Sequence, residues 1–496
     1  MNILYKSTRG GESNIPASLA IIKGLACDGG LFVPNEIPKI DKPLKKLVGL
    51  TYKEMAFEIM KLYFTDFTED ELKYCIDNAY NEKFDTSEIA PVVNKDDAYY
   101  LELFHGSTIA FKDMALSILP YLMKVSAKKQ NIKNDIVILT ATSGDTGKAA
   151  LAGFANVEGI KIIVFYPKDG VSPIQKHQMV TQKGDNTYVV GIEGNFDDAQ
   201  NGVKEIFNNK GFNKVLDENG YNFSSANSIN IGRLIPQIVY YFYAYSKMVE
   251  NNDIKMGQDI NVVVPTGNFG NILAAYYAKN MGLPINQLIC ASNDNKVLYD
   301  FMNTGVYNKK REFILTISPS MDILISSNLE RLLYKISGNN ESVILKLMEE
   351  LYTKGEYKIT DDMKKGLNDF YGNYATIDET YDAIKEVFDN SGYLIDSHTA
   401  VGSAVYKKYK EATGDDTKTV IASTASPYKF TRSVMKAIDE SYEKYSDFEL
   451  IQKMYELSEV AIPKAIKDIL EDPIIHKRVC DKDKMKETIE EILNIS

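Results

Sequence analysis

The sequence predicts an α/β protein in which two parallel sheets carry helices on both faces. Short apolar segments are separated by helical patterns along the chain, and the clearest predicted strands cover residues 136–140, 161–166, 187–191, 261–264 and 420–422. Such alternation is typical of parallel strands joined by helical crossovers. The chain has 496 residues, which is long for a single core, so two or more domains are expected.

Three regions follow from the pattern. Residues 1–95 predict a mainly helical N-terminal domain, with amphipathic helices at 52–64 and 69–80. Residues 96–430 predict the α/β region, with two subdomains and a charged helical stretch at about 328–392. Residues 431–496 are rich in Lys and Glu and predict a C-terminal helical segment whose charged face is solvated.

Composition and charge exclude several classes of partner. Lys and Arg number 57 against 68 Asp and Glu, and a net charge of −11 argues against nucleic-acid binding. No segment predicts a membrane span or an apolar leader. The four cysteines are scattered and neither they nor the histidines show metal-ligand spacing, so we expect free thiols, no metal and a cytoplasmic location. The oligomeric state stays open.

Lys112 is the first candidate catalytic residue. It lies in residues 103–113, LFHGSTIAFKD, where no other charge stands between His105 and Asp113. A lysine held near apolar groups loses hydration, which lowers the pKa of its amine and makes it a better nucleophile. Most lysines instead extend their ammonium group to water. The choice between these interpretations depends on the other segments.

Residues 135–147, DIVILTATSGDTG, predict a buried strand that runs into the start of a helix. Small residues let backbone N–H groups approach a ligand, and the helix presents its positive end to an anion. An ordinary N-cap needs one hydroxyl or carboxylate, whereas residues 140–146 supply five. We therefore expect a carboxylate or phosphate to bind here. The candidate residues are Thr142, Ser143, Gly144, Asp145 and Thr146.

A second strand, loop and helix occupies residues 260–282, with the loop sequence TGNFGN at 266–271. Two glycines three apart before a helix are typical of a phosphate-binding loop that uses backbone amides. The GxGxxG pattern and the P-loop pattern are both missing, which argues against a dinucleotide or nucleotide site. The candidate residues are Gly267, Asn268, Phe269, Gly270 and Asn271. A fourth segment, TVIASTASPYKF at 419–430, predicts a strand ending in hydroxyl groups, where α/β proteins bind ligands.

These four segments, in this order, resemble the threonine synthase family of pyridoxal-phosphate enzymes, which have the fold of the tryptophan synthase β-subunit. The resemblance extends over nearly the whole chain and includes YKSTRG at 5–10, DGGLFVP at 28–34 and NSINIGRLIPQ at 227–237. The length resembles the longer subgroup of the family, which has an additional N-terminal region. The resemblance implies pyridoxal-phosphate fold type II, with two α/β domains and the cofactor between them.

The resemblance also implies roles for individual residues. Lys112 would form the Schiff base with pyridoxal 5'-phosphate, residues 267–271 would hold the cofactor phosphate, Asp145 would lie near the cofactor ring, and Thr424 would face the pyridine nitrogen. Residues 142–146 would bind the substrate carboxylate. The implied reaction converts O-phospho-L-homoserine and water into L-threonine and phosphate, and the candidate contacts for the substrate phosphate are Asn227, Ser228, Asn230 and Arg233.

Two residues depart from the family motifs. Ser107 stands where proline is expected, and Ser426 stands where histidine is expected. Serine does not fix φ as proline does, so the turn before Lys112 is expected to be looser. Two alternatives remain open on the sequence: another fold type II lyase such as a threonine or serine dehydratase, which needs no second phosphate site, and a catalytically silent relative.

Overall fold

The structure is a computed structural model that describes residues 2–142, 144–169, 171 and 173–495. The N-terminal region contains β1 (Tyr5–Ser7), α1 (Ala17–Lys23), β2 (Phe32–Pro34), α2 (Tyr52–Met60) and α3 (Glu69–Ala79). Strands β1 and β2 pair antiparallel. Helices α2 and α3 begin where predicted because each starts with a capping box, Thr51 with Glu54 and Thr68 with Glu71.

The next part of the chain alternates strands with helices. Its elements are β3 (Val92–Lys95), β4 (Ala98–Glu102), α4 (Asp113–Leu116), α5 (Leu119–Lys129), β5 (Asp135–Ala141), α6 (Asp145–Phe154), β6 (Ile160–Pro167), α7 (Pro173–Val180), β7 (Thr187–Glu193), α8 (Phe196–Asn208), α9 (Lys210–Glu218), β8 (Tyr221–Ser224), α10 (Ile231–Glu250), β9 (Ile260–Pro265), α11 (Gly270–Met281) and β10 (Ile285–Ser292). The predicted strands at 136–140, 161–166, 187–191 and 261–264 are confirmed.

The remaining elements mix helices with short strands. They are α12 (Val297–Thr304), β11 (Val306–Asn308), α13 (Leu329–Ile336), α14 (Glu341–Thr353), β12 (Glu356–Lys358), α15 (Asp361–Lys365), β13 (Phe370–Tyr374), α16 (Ile377–Ser391), α17 (Ser397–Thr413), β14 (Thr419–Ser423), α18 (Thr431–Ile438), α19 (Asp447–Ser458), α20 (Lys464–Glu471), β15 (Arg478–Asp481) and α21 (Met485–Leu493). Short 3₁₀ helices lie at Pro319–Met321 and Pro427–Phe430, and both contribute to the site.

Two sheets form the framework, as the predicted fold class requires. The six-stranded sheet has the order β13-β10-β9-β14-β4-β3, and its pairs are parallel except β3 with β4. The five-stranded sheet has the order β15-β7-β6-β5-β8 and its pairs are parallel. Parallel neighbours end at the same edge, so the loops after β4, β14 and β9 meet, as do those after β5 and β8.

Helix α10 lies at the centre of the molecule. Its 20 residues include Pro236, and 17 of them are buried, because both of its faces are covered. It packs against α11 and α2, which joins the N-terminal region to the main core. Smaller apolar clusters lie around β14 with α16 to α19 and between the five-stranded sheet and α8, α9 and α21.

Three predicted regions differ in detail from the structure. The stretch at 328–392 is not only helical, because β13 is an edge strand of the six-stranded sheet. The C-terminal segment is likewise not only helical, since β15 extends the five-stranded sheet and buried residues of α21 pack on that sheet. The N-terminal region supplies β3 to the six-stranded sheet. Within the described residues, no helix has the length and apolar character needed to cross a membrane.

Candidate active site

The turn before Lys112 is held by a buried carboxylate. Asp113 accepts hydrogen bonds from Thr108 N at 2.7 Å and from Thr108 Oγ1 at 2.6 Å. Ile109 has a φ of +53°, a backbone conformation that an isoleucine adopts only when its surroundings impose it. Phe111 N donates to Thr424 O at 2.8 Å, which fixes the turn against the end of β14. The prediction that Ser107 loosens this turn finds no support in these contacts, because they fix the turn without a proline.

Lys112 is the N-cap residue of α4 and places its amine inside the site. Its Nζ lies 3.3 Å from Asp145 Oδ2 and donates to Ser320 Oγ at 3.0 Å. Burial lowers the pKa of Lys112, Asp145 opposes this change, and the positive charges of Lys429 and Arg233 add to it. The amine is therefore easier to deprotonate than that of a solvated lysine, as the sequence predicted.

Asp145, at the start of α6, accepts several hydrogen bonds. Ser320 Oγ donates to its Oδ2 at 2.8 Å, and Gln175 Nε2 donates to its Oδ1 at 2.7 Å. Lys429 Nζ lies 3.2 Å from the same Oδ1. Burial would raise the pKa of Asp145, but the ammonium groups of Lys429 and Lys112 outweigh it and hold the pKa well below its usual value. A charged carboxylate is thus accommodated between two lysines.

The loop between β5 and α6 is closed by Thr142. Its Oγ1 accepts hydrogen bonds from Gly144 N and Gly147 N, both at 3.0 Å. Gly144 has a φ of +146°, and a Cβ there would lie 2.7 Å from the Gln175 side chain, so only glycine fits. Thr146 is half-buried in the first turn of α6. The predicted residue Ser143 lies outside the described residues.

The glycine loop between β9 and α11 turns its carbonyl groups toward residues 326–328. Gly267 O accepts from Ser326 Oγ at 2.7 Å, and Asn268 O accepts from Asn328 N at 3.1 Å. Phe269 has a φ of +64° and caps α11 in the left-handed conformation. Because these carbonyls are engaged, the N–H groups at the start of α11 are the part of the loop left to bind an anion.

Two features of this loop fit a phosphorylated cofactor. Asn271 Oδ1 accepts hydrogen bonds from the hydroxyls of Tyr240 and Tyr241, whereas its Nδ2 is buried and has no partner among the described residues. A buried amide donor without a partner is costly unless a ligand uses it. A Cβ on Gly267 would lie 2.6 Å from Ser320 O, which shows how closely the loop approaches the 3₁₀ helix Pro319–Met321. The residues present therefore fit the cofactor phosphate.

Thr424 and Ser426 follow β14 and are both buried. Thr424 N donates to Thr399 Oγ1 at 3.1 Å, and its own hydroxyl has no described protein partner. Ser426 caps the 3₁₀ helix Pro427–Phe430 by accepting from Tyr428 N at 3.3 Å. The serine that replaces the expected histidine therefore has a local structural role.

Arg233, in the first turn of α10, is buried beside the site. Its guanidinium donates from Nη1 to Ala226 O at 2.8 Å, and its Nε is buried with no partner among the described residues. Burial lowers the pKa of Arg233 to about 10, so it remains charged at neutral pH. A buried guanidinium with a free donor is suited to binding an anionic ligand.

The polar residues ahead of Arg233 have different environments. Asn227 is exposed, and Ser228 Oγ accepts weakly from Asn328 Nδ2 at 3.5 Å. Asn230 differs from the prediction, because its amide donates to Ile21 O at 2.9 Å and to Ser225 O at 3.1 Å while its Oδ1 caps α10. With both of its N–H groups engaged, Asn230 supports the loop and does not present a donor to a ligand.

The sequence interpretation did not assign Lys429, Ser320 or His398 to the site. His398 Nε2 accepts from Ser320 N at 3.1 Å, and its Nδ1 lies 3.0 Å from Asp396 Oδ1, an arrangement that requires the proton on Nδ1. His105 contacts two carboxylates, Asp85 at 2.6 Å and Glu102 at 2.8 Å. Lys429 was detectable by the signal used for Lys112, since it too lies between apolar residues. Ser320 carried no comparable signal.

No group of three or more potential metal ligands occurs among the residues that the structure describes. The arrangement is a buried amine, a charged carboxylate, a glycine loop and a buried guanidinium whose Nε has no partner among the described residues. Such a site can bind two anionic groups of a ligand, and its amine can accept and return protons.

Family models match most of the chain. The model described as pyridoxal-phosphate dependent enzyme matches residues 94–425, threonine synthase N terminus matches residues 4–80, and threonine synthase, C-terminal, matches residues 399–490. Threonine synthase from Schizosaccharomyces pombe is 37% identical over 478 residues, which cover 90% of each chain. Threonine synthase from Pseudomonas aeruginosa is 38% identical over 437 residues, covering 87% of this chain and 90% of that protein.

A third relative is longer than this chain. Threonine synthase-like 1 from Homo sapiens is 41% identical over 434 residues, or 85% of this chain, but the match spans only 58% of that protein. Among solved structures, threonine synthase from yeast has a TM-score of 0.89 with 34% identity, and the pyridoxal-phosphate-bound threonine synthase from Brucella melitensis has 0.87 with 34% identity. Both matches cover 99% of each chain.

Proposed function

The chain belongs to the threonine synthase family of pyridoxal-phosphate-dependent enzymes, and we propose that it converts O-phospho-L-homoserine and water into L-threonine and inorganic phosphate, the last step of threonine biosynthesis. The observation that carries this proposal is the buried Nε of Arg233, which lies near Lys112 and has no hydrogen-bond partner among the described residues. A lyase whose substrate lacks a phosphate has no need of this second cation. Arg233 therefore favours a phosphorylated substrate over those of threonine and serine dehydratases.

The cofactor would be held by residues from both sheets. Lys112 would be linked to its aldehyde carbon, Asp145 would lie near its ring, and Thr424 would meet the pyridine nitrogen. The phosphate would bind residues 267–271 at the start of α11, with Asn271 Nδ2 as a side-chain donor. When bound, the cofactor supplies an electron sink for the negative charge left on a substrate carbon after a proton departs.

Lys112 is proposed as the group that moves protons. Its Nζ would take the proton from the α-carbon, release it, and then take the proton from the β-carbon. Phosphate would leave the γ-carbon, which would gain a proton to become the methyl group. The hydroxyl of water would then add at the β-carbon, and a proton would return to the α-carbon. A lysine whose pKa is lowered by burial is suited to this role because it can both accept and return a proton near neutral pH. Ser320, which accepts from Lys112 and donates to Asp145, would orient the amine.

Two anion sites would position the substrate. The first turn of α6, with Thr142, Gly144 and Thr146, would hold the substrate carboxylate, and Ser143 is proposed to join them. Arg233 would hold the leaving phosphate, with Ser228 and Asn227 at the edge of that site. Holding the two ends of the substrate sets its α- and β-carbons in a fixed position relative to Lys112.

The surroundings suit reactive chemistry in a reducing compartment. Lys112 and Asp145 have side chains that are 11% and 8% exposed, which limits the access of water to the amine.

The cysteines are free thiols, two of them buried. Free thiols are typical of a reducing environment, so we propose a cytoplasmic enzyme.

A substrate comparison tests the proposal. The purified protein with pyridoxal phosphate should turn over O-phospho-L-homoserine with a kcat/KM at least a hundredfold above those for L-threonine and L-serine. Preference for L-threonine or L-serine would support a dehydratase instead. No turnover of any of the three would support a silent relative.

A further inference from the structure

A second buried lysine lies opposite Lys112. Lys429 belongs to the 3₁₀ helix Pro427–Phe430, and its side chain is 0% exposed. Its Nζ lies 3.2 Å from Asp145 Oδ1 and donates to Thr108 O at 2.9 Å. The backbone contact fixes the ammonium group on the turn that precedes Lys112. Lys429 is therefore held rigidly within the site.

Asp145 lies between two ammonium groups of different character. Lys112 approaches its Oδ2 and Lys429 approaches its Oδ1. If the proposed function is correct, Lys112 is not a constant counter-ion, because its nitrogen is bound to the cofactor in the resting enzyme and carries protons during turnover. A buried carboxylate that loses its counter-ion is strongly destabilised. Lys429, which reacts with nothing, stays paired with Asp145 throughout.

Lys429 also acts on Lys112 through its charge. Burial and the positive charges of Lys429 and Arg233 lower the pKa of Lys112, whereas Asp145 raises it. The charged groups around Lys429 itself are Asp145, Lys112, the buried Asp113 and Lys148 of α6. Removal of Lys429 would take away one positive charge that lowers the pKa of Lys112 and leave the negative charge of Asp145 that raises it. The nitrogen of Lys112 would therefore hold a proton more tightly.

We propose that Lys429 is a positioning residue that keeps Asp145 charged and in place through the reaction and keeps the Lys112 nitrogen free to exchange its proton. The proposal rests on the assignment of Lys112 in the proposed function. It adds a residue that needs no contact with the substrate and acts through Asp145 and Lys112. Its consequences therefore appear in the titration of the bound cofactor, before any substrate is added.

The test uses the holoenzyme and the pH titration of its visible absorption. Lys429→Met should raise the titration midpoint by at least one pH unit and lower kcat at least tenfold. Asp145→Asn/Lys429→Met removes one negative and one positive charge together, so its midpoint should return to within half a unit of the wild-type value. Lys436→Met is the matched control, since Lys436 lies on α18 and pairs with Glu443 outside the site.

Each outcome decides the proposal. An unchanged titration midpoint in Lys429→Met would overturn the proposal. A double variant whose midpoint is displaced as far as that of Lys429→Met would also overturn it. If Lys429→Met fails to fold, a folded double variant supports charge compensation, whereas a double variant that also fails to fold overturns it in favour of packing. The absorbance titration requires no O-phospho-L-homoserine. Failure of the proposed reaction and failure of this inference are therefore distinguishable.

Discussion

Lys112 and Asp145 follow strands of different sheets, yet Lys112 Nζ lies 3.3 Å from Asp145 Oδ2. Lys112 comes after β4 of the six-stranded sheet, and Asp145 begins α6 after β5 of the five-stranded sheet. The carboxyl edges of the two sheets therefore face a shared site. This relationship places a nucleophilic amine between the loop proposed for the cofactor phosphate and the loop proposed for the substrate carboxylate.

Lys112→Ala should abolish the visible absorption of bound cofactor and lower turnover at least a thousandfold. The variant loses both the proposed covalent attachment and the group that moves protons, which alone contributes about 10²–10⁴-fold in enzymes of this kind. Absorption spectra and kcat after reconstitution measure the effect. Lys124→Ala removes a more exposed lysine and should leave both unchanged. An intact absorption band in Lys112→Ala would mean that another lysine binds the cofactor.

Arg233→Ala should lower kcat/KM for O-phospho-L-homoserine about a hundredfold, which corresponds to about 2.7 kcal/mol. The buried guanidinium is proposed to pair with the leaving phosphate, and its removal leaves that charge without a donor. The spectrum of the bound cofactor should be unchanged. Arg432→Ala, which removes a half-exposed arginine on α18, is the control. Unaltered kinetics in Arg233→Ala would exclude Arg233 as the phosphate ligand.

Much of this site was predictable because its residues lie in local strand, loop and helix patterns. The glycine loop, the start of α6 and the turn at Lys112 each carry a signal within about ten residues. Ser320 and His398 carry none, since their roles depend on a hydrogen bond of 3.1 Å from Ser320 N to His398 Nε2, which joins segments far apart in sequence. Asn230 was assigned to a ligand because sequence does not show that its amide is taken up by Ile21 O and Ser225 O.

The fold was predictable to a similar extent. Short apolar segments predicted the strands β5, β6, β7, β9 and β14 with bounds correct to within about two residues. The short strand β15 was missed because its residues, RVCD, are partly charged and lie at the edge of a sheet. Pairing with β7, which is remote in sequence, stabilises it there. Local pattern does not encode such a partner.

Gly267→Ala should weaken cofactor binding at least tenfold. A Cβ at this position would lie 2.6 Å from Ser320 O and 3.3 Å from Met321 Cα, so the 3₁₀ helix that contains these two residues must shift. That shift would also disturb the Ser320 hydroxyl between Lys112 and Asp145. The dissociation constant of pyridoxal phosphate measures the effect. Gly211→Ala, at an exposed position of α9, should bind pyridoxal phosphate normally and gain about 1 kcal/mol of helix stability. Equal affinities of Gly267→Ala and the wild-type protein for pyridoxal phosphate would contradict the role proposed for this loop in binding the cofactor phosphate.

His105 should make the stability of the protein depend on pH. Burial opposes its protonation, but hydrogen bonds to Asp85 and Glu102 raise the pKa of His105 to about 9. Because the folded pKa exceeds the unfolded value, the stabilisation is complete below about pH 6.5 and is lost as the pH rises through about 9. We expect His105→Gln to lower the free energy of unfolding by about 2 kcal/mol at pH 6, after allowance for solvent screening at half-exposed Asp85. The loss should be much smaller at pH 10.

Denaturant unfolding at pH 6, pH 8 and pH 10 measures this difference. His476→Gln is the matched control, since burial lowers the pKa of His476 and leaves it neutral at pH 8 and at pH 10. Its substitution should therefore change the free energy of unfolding equally at those two values. A cost of His105→Gln that does not vary between pH 6 and pH 10 would show that the imidazole is not charged in the folded protein.

The most direct test of the account follows L-threonine and inorganic phosphate together while the purified protein acts on O-phospho-L-homoserine with pyridoxal phosphate present. Equimolar release of the two products is the expected result. Phosphate with 2-oxobutyrate in place of threonine would contradict it, because water would then not have added at the β-carbon. Absence of both products from a protein that binds its cofactor through Lys112 would contradict it equally.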